Sequence, residues 1–319
     1  MRPPAAGSTR SSGAPALAEQ GGSREFLADY FARIGYEGSA EPTLADIAAV
    51  HAHHTRTIPF ENLGPATGKP VDIAPEAIRG GLVDRRRGGY CFQHAGLISR
   101  ALADMGVPGV ENHLGRVYWR RPPGSGAPAR THLVTVFEHG GQRYLVDGGF
   151  GGFNPSGLLP LDLAPEEAVR TTPLGTFRAV DVAAAGLPAQ DTVNIDLMVQ
   201  AQVDGVWTNL YGVDLRPNAP MDLTVSNWYV STSRTAPFTT SLMFSILTET
   251  QRITLANLSL AVRTYAADGS STVEKRTLAG AAELRDASRE LFRIEDATVD
   301  WDAAHAVGAS AERAAAGQR

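Results

Sequence analysis

Arg87-Gly88-Gly89-Tyr90-Cys91-Phe92-Gln93 holds the only cysteine of the chain and reads as a tight turn feeding the first turn of a helix. Downstream, Cys91, Phe92, Ala95, Ile98, Leu102 and Met105 recur mostly at steps of three and four, the pattern of an amphipathic helix with one buried face. Gly106 follows as a C-terminal cap, with Pro108 just beyond. Cys91 therefore falls at the helix start, where the dipole favours the thiolate, the reactive form of the side chain. Gly88 and Gly89 are expected to supply the positive φ angles and close backbone approach of a sharp turn. A free cysteine is most often a small buried hydrophobe, so the nucleophile reading rests on what the rest of the chain supplies.

Two later segments supply it. Residues 131–137 (THLVTVF) are β-branched and apolar and read as a strand, as do residues 144–147 (YLVD). Gly140-Gly141 is the expected centre of the turn between them. That centre sets Asp147 opposite Val134, with His132 two residues further along on the same face. Such diagonal neighbours lie about 7–8 Å apart at the backbone, within reach of a His–Asp hydrogen bond. A slip of one residue would send the two side chains to opposite faces. Taken singly, His132 reads as a strand-start polar residue and Asp147 as a turn former. Beside Cys91 they are a base and the carboxylate that orients it. Gly148-Gly149-Phe150-Gly151-Gly152 comes next. No Gly-Lys-Ser/Thr follows, so it is not a phosphate-binding P-loop. It is either a flexible loop or a source of backbone amides for an oxyanion site.

These segments resemble the arylamine N-acetyltransferases. The carrying motifs are Ile58-Pro59-Phe60-Glu61-Asn62-Leu63, Arg87-Gly88-Gly89-Tyr90-Cys91-Phe92, Thr131-His132-Leu133 and Tyr144-Leu145-Val146-Asp147-Gly148-Gly149-Phe150-Gly151. Asp29-Tyr30-Phe31-Ala32-Arg33-Ile34-Gly35-Tyr36, Asn227-Trp228-Tyr229-Val230-Ser231-Thr232 and Arg252-Ile253-Thr254-Leu255 add to them, in family order from about Phe26 to Leu260. The resemblance implies an α+β fold with a cysteine-protease-like core: an N-terminal helical bundle carrying the nucleophile (24–110), a central β-barrel carrying His and Asp (111–220) and a C-terminal α/β lid (221–305). It implies a Cys91-His132-Asp147 triad, with Phe150 at the acceptor site. Phe92, Phe150 and Gly151 are the expected substrate contacts, Phe92 having an equal reading as core. Glu61 and Arg87 match positions of structural character. The implied activity is ping-pong acyl transfer from acetyl-CoA, as cosubstrate, through a cysteine thioester to an aromatic amine or hydrazine. Gln93 and Ala95 stand where the family usually has Glu and Asn, Gly148 where it has an apolar residue, and Ser233-Arg234-Thr235-Ala236 departs from its usual pattern. These departures keep a second reading open: an amide synthase of the same family, taking a polyketide chain from an acyl carrier protein and closing an ansamycin macrolactam. A third is a non-catalytic relative that binds an acyl carrier or aromatic ligand.

Composition sets the bounds. A chain of 319 residues suits two or three packed units, and 43% hydrophobic residues suffice for a sizeable core. A net charge of −5 gives no reason to expect a nucleic-acid partner. No run of eighteen apolar residues exists to span a membrane. One cysteine excludes an internal disulfide and fits the reducing cytoplasm. Residues 1–23, rich in Gly, Pro, Ala and Ser, are expected as a disordered tail, and the Ala-rich residues 306–319 as frayed helix or disorder. His51, His53 and His54 cluster near the end of an expected helix, but with no second ligand group in the sequence no metal is expected. Residues 194–202, 206–211 and 251–262 read as strand, and residues 279–292 as helix.

Overall fold

The structure is a computed structural model and describes residues 17–317. Its first part is helical: α1 (Leu17–Ile34), α2 (Leu44–Thr57), α3 (Leu63–Ala66), α4 (Pro75–Arg79) running into a π-helical turn at Gly80–Asp84, and α5 (Cys91–Asp104). Thr43 caps α2 by accepting the Asp46 N–H. The apolar stripe of α5 meets α1 and α2 in a core of Phe26, Tyr30, Ile34, Ile47, Val50, Leu97, Ile98, Ala101 and Leu102. Each large apolar side chain buried this way contributes roughly 1.5–3 kcal/mol. At the C-terminus of α5, Val107 N–H bonds Leu102 O and Gly106 N–H bonds Ala103 O, with Gly106 at φ +81°. That is the paired-bond ending that glycine just past a helix provides.

An eight-stranded antiparallel sheet follows: β2 (Glu111–Val117), β3 (Arg130–His139), β4 (Gln142–Val146), β5 (Leu159–Pro160), β6 (Arg170–Thr172), β7 (Gly175–Asp181), β8 (Leu197–Val203) and β9 (Val206–Val213), ordered β5-β4-β3-β2-β9-β8-β7-β6. It curls into a nearly closed barrel, β5 at one edge packing against β7. Alternate inward residues such as Val134, Val136, Leu145, Phe177, Val199 and Leu210 fill it. The β3–β4 hairpin pairs His139 with Gln142 and Thr135 with Val146 around Gly140 (φ +59°) and Gly141 (φ +79°). Two consecutive left-handed residues are what a two-residue turn of the right twist requires.

The last part holds α6 (Pro220–Thr232), α7 (Pro237–Thr240), β10 (Met243–Leu247), β11 (Gln251–Ala256), β12 (Ser259–Tyr265), β13 (Ser271–Thr277), α8 (Ala281–Phe292) and α9 (Trp301–Ala316). The four strands form an antiparallel sheet whose far edge is β1 (Phe60–Glu61), from the helical part. This two-residue pairing ties the segment before the nucleophile turn to a strand far along the chain. α8 and α9 cover the sheet through Phe244, Ile246, Ile253, Leu255, Leu284 and Phe292.

The strand region expected over residues 251–262 is β11 and β12, with Asn257, left-handed at φ +56°, turning the chain between them. Asn tolerates that conformation through its short polar side chain. The expected tail 306–319 is largely helix α9, capped by Asp300 accepting the Ala303 N–H. At the other end α1 takes in residues 17–23, while residues 1–16 of the expected tail lie outside the described residues. Among the described residues no helix is long and apolar enough to cross a membrane.

Candidate active site

Cys91 opens α5, and the turn before it is clamped on several sides. Glu61 N–H donates to Gly89 O at 2.8 Å and Gly89 N–H to Pro59 O at 3.2 Å, making a parallel bridge between Phe60 and Gly89. A Cβ on Gly88 would stand 2.3 Å from Pro59 O, and one on Gly89 2.6 Å from Gln93 Oε1. Neither glycine has a positive φ. Both are needed for close approach, and the left-handed conformation expected of them is not used. Gln93 Oε1 accepts the Tyr90 N–H, closing the first turn. Arg87 donates Nε and Nη2 to Glu61 Oε1 at 2.9 and 2.6 Å, and Glu61 Oε2 accepts the Leu63 N–H. The Asn62 side chain bonds Phe238 O, Ser241 O and the Met243 N–H, fastening the same segment to α7 and β10.

The hairpin delivers the other two groups. His132 Nε2–H donates to Asp147 Oδ2 at 2.8 Å, and Asp147 Oδ1 accepts the Gly149 N–H at 2.7 Å. Because Nε2 faces the carboxylate, Nδ1 is the nitrogen left for the thiol, with which His132 also interacts. The Cys91 thiol lies 3.6 Å from Thr131 O, one residue before His132. Cys91, His132 and Asp147 are each 2% exposed. Burial by itself would lower the His132 pKa, but the Asp147 charge and hydrogen bond and the neighbouring thiol raise it to about 10. Burial likewise opposes ionisation of Asp147, and the His132 charge and hydrogen bond with the Gly149 N–H win, holding the carboxyl below the usual range. The Tyr211 hydroxyl faces the same carboxylate, short of a well-directed hydrogen bond. Its ring lies 4.5 Å from the His132 ring, and Phe150 lies 5.2 Å from it on another side.

The glycine-rich loop follows Asp147 for steric reasons. A Cβ on Gly149 would stand 2.6 Å from Cys91 Cα, and one on Gly148 2.6 Å from Ile98 Cδ1. Two of its amides are engaged and so not free for an oxyanion: Gly149 N–H is held by Asp147 and Phe150 N–H by Asn154 Oδ1. Phe150 is half-buried beside the triad, and Gly151 is buried at φ +86° against the Phe60 ring. Phe92, 1% exposed, sits in the core with Phe60, Tyr90, Leu114 and Leu133. Val230 of α6 belongs to that cluster too, and Leu223 of α6 and Phe238 of α7 pack against it.

A line of buried groups behind Cys91 was not read from the sequence. Tyr30 O–H donates to His54 Nδ1 at 2.8 Å, and His54 Nε2 meets His94 Nδ1 at 2.7 Å. His94 Nε2 reaches Gly89 O at 3.0 Å and Pro59 O at 3.2 Å. Carbonyls only accept, so the direction is assigned throughout: His94 donates Nε2–H and His54 donates Nε2–H. Burial pushes His94 down to about 4 and His54 well below its ordinary value, keeping both neutral. His51 bonds Asp147 O and His53 bonds Ile34 O. The three clustered histidines thus point to three different partners, and no group of metal-ligating residues occurs among the described residues. The signal in the sequence was His94 on the apolar face of α5, where a polar residue requires a partner.

A family model described as N-acetyltransferase matches residues 43–299. The arylamine N-acetyltransferase of Mycobacterium tuberculosis is 38% identical over 277 residues, 86% of this chain and 90% of that protein. That of Escherichia coli is 30% identical, over 84% of this chain and 88% of its own length. Among solved structures, Mycobacterium marinum arylamine N-acetyltransferase in complex with CoA superposes with a TM-score of 0.78 at 36% identity, over 88% of this chain and 98% of that one.

Proposed function

Because the chain belongs to the arylamine N-acetyltransferase family, we propose that it transfers an acetyl group from acetyl-CoA through Cys91 to an arylamine nitrogen. One observation carries the assignment of roles: the single cysteine opens a helix beside a buried His132 whose Nε2 is held by Asp147 at 2.8 Å. His132 takes the thiol proton at Nδ1, and Asp147 stabilises the imidazolium. The thiolate attacks the acetyl carbonyl, the bond to the CoA sulfur breaks, and the imidazolium proton goes to the departing CoA thiolate. The amine nitrogen then attacks the Cys91 thioester. His132 accepts the amine proton, and the carbon–sulfur bond to Cys91 breaks to give the amide and the starting ion pair. Phe150, at the rim of the triad, is the aromatic surface for the acceptor ring. The single free cysteine supports a cytoplasmic site of action.

Release of CoA from acetyl-CoA in the presence of a simple aniline, followed by thiol titration of the product, tests this. Wild type is expected to turn over and Cys91→Ala to be inactive. Turnover by the variant at the wild-type rate would remove Cys91 from the mechanism. Failure of the wild type with acetyl-CoA, but turnover with an acyl carrier thioester, would replace it with the amide-synthase reading.

A further inference from the structure

A cleft of about 740 Å³ is lined by Arg86, Arg285, Arg289, Arg293, Glu295 and Trp301 among others. Its size is that of a small-molecule site. None of Cys91, His132, Asp147 and Phe150 lines it. Four guanidiniums face two carboxylates there, Glu295 and Asp296, on a chain whose net charge is −5. The carboxylates are engaged: Glu295 pairs with Arg86 at 3.0 Å, and Asp296 with Arg87 at 3.6 Å. Arg285 pairs with its exposed neighbour Asp286 at 2.9 Å. Arg289 and Arg293 have no ion-pair partner among the described residues, one full turn apart on α8 and at its end. Arg86 and Arg293 both hold left-handed backbone, φ +53° and +57°, a conformation unfavourable for a side-chain-bearing residue.

A second observation comes from behind the wall. Arg33 is 4% exposed, and its Nη1 has no hydrogen-bond partner among the described residues. Burial, then the charges of Arg86 and Arg293, lower its pKa to about 10, with Glu295 opposing. A buried guanidinium with a spare donor, within range of the unpaired Arg293, marks a region of excess positive charge. Guanidinium groups match phosphate oxygens in pairs, and an indole offers a face for a flat ring.

We propose that this cleft binds a nucleoside polyphosphate, its phosphates on Arg289 and Arg293 and its base against Trp301. Two sources share that chemistry, a free nucleotide and the nucleotide end of a CoA thioester. The test is calorimetric titration of the full chain with ADP, for wild type, Arg289→Ala/Arg293→Gly and Trp301→Leu. Arg289 is exposed and glycine suits the φ of Arg293, so the double variant retains the fold, which an unchanged melting temperature verifies. Removal of a charge-assisted hydrogen bond weakens binding roughly tenfold or more. ADP is therefore expected to bind wild type at least tenfold tighter than the double variant, less tightly at higher salt, and to lose affinity in Trp301→Leu. Repetition with saturating CoA separates the sources: displacement of ADP assigns the cleft to the donor's headgroup, and undisturbed binding assigns it to a free nucleotide. Equal ADP affinity in wild type and double variant, or no binding in wild type, overturns the proposal. Neither result depends on acyl transfer.

Discussion

Asp147→Asn is the most informative perturbation of the triad, because the two oxygens of the carboxylate have different obligations. Oδ2 accepts from His132 Nε2–H and Oδ1 from Gly149 N–H, at 2.8 and 2.7 Å, in a site 2% exposed. Asparagine offers one acceptor and one pair of N–H donors. If its oxygen stays on Gly149, its NH₂ faces His132, and the ring must carry its proton on Nδ1. The lone pair that takes the thiol proton is then gone. If its oxygen turns to His132, the Gly149 N–H is left buried and unpaired beside Cys91, at about 1–3 kcal/mol. Either way the Asp147 charge that raises His132 against its burial is lost. General acid–base catalysis contributes about 10²–10⁴-fold, and a loss of that order is expected in the rate of Cys91 acetylation in a single turnover, read by quenched-flow mass spectrometry. The melting temperature is expected to fall by a few degrees, from that unpaired-group cost in a domain of this size. Acetylation within a few-fold of wild type would refute the role given to Asp147.

Three further outcomes are expected. The pH dependence follows from the same pair. His132, raised to about 10 from an unfolded value near 6.5, stabilises fully below about 6.5 and loses its contribution as pH rises through 10. Asp147, depressed, contributes above about 3.9 and loses its contribution as pH falls through its folded value. The melting-temperature gap between wild type and Asp147→Asn should therefore be widest between about pH 4 and 6.5 and narrow towards pH 10, where the unpaired-group cost remains; a gap that stays constant to pH 10 contradicts it. Gly149→Ala places a methyl 2.6 Å from Cys91 Cα and should cost about 1–3 kcal/mol in denaturant unfolding, with a marked loss of acetylation rate. Wild-type stability and rate in that variant would show the packing there to be compliant. Tyr30→Phe leaves His54 Nδ1 buried without its donor, so a loss of about 1–3 kcal/mol in unfolding free energy is expected, with Cys91 still acetylated; loss of acetylation at unchanged stability would move Tyr30 into the mechanism.

Local chemistry made part of this site legible in the sequence. The Gly140-Gly141 centre fixes the hairpin register, which places Thr135 opposite Val146 and lets His132 reach Asp147. The three-and-four spacing after Cys91 defines α5, and Gly106 ends it. What stayed hidden depends on packing across the fold. β1 pairs two residues with β10, far along the chain, a match too short to leave a periodic signal. The role of Gly148 and Gly149 appears only when α5 is laid against the loop. His54 and His94 read as isolated histidines until packing brings them within 2.7 Å. Two of the loop amides that invited an oxyanion reading, those of Gly149 and Phe150, are bonded to Asp147 and Asn154, partners two and four residues away.

The central claim is that acetyl-CoA acylates Cys91, and intact-protein mass spectrometry of the full chain mixed with acetyl-CoA and no acceptor tests it directly. Wild type is expected to gain one acetyl group, removed again on addition of an aniline, while Cys91→Ala gains none. An equal gain in the variant, or no gain in a wild type whose thiol still reacts with an alkylating agent, would contradict it.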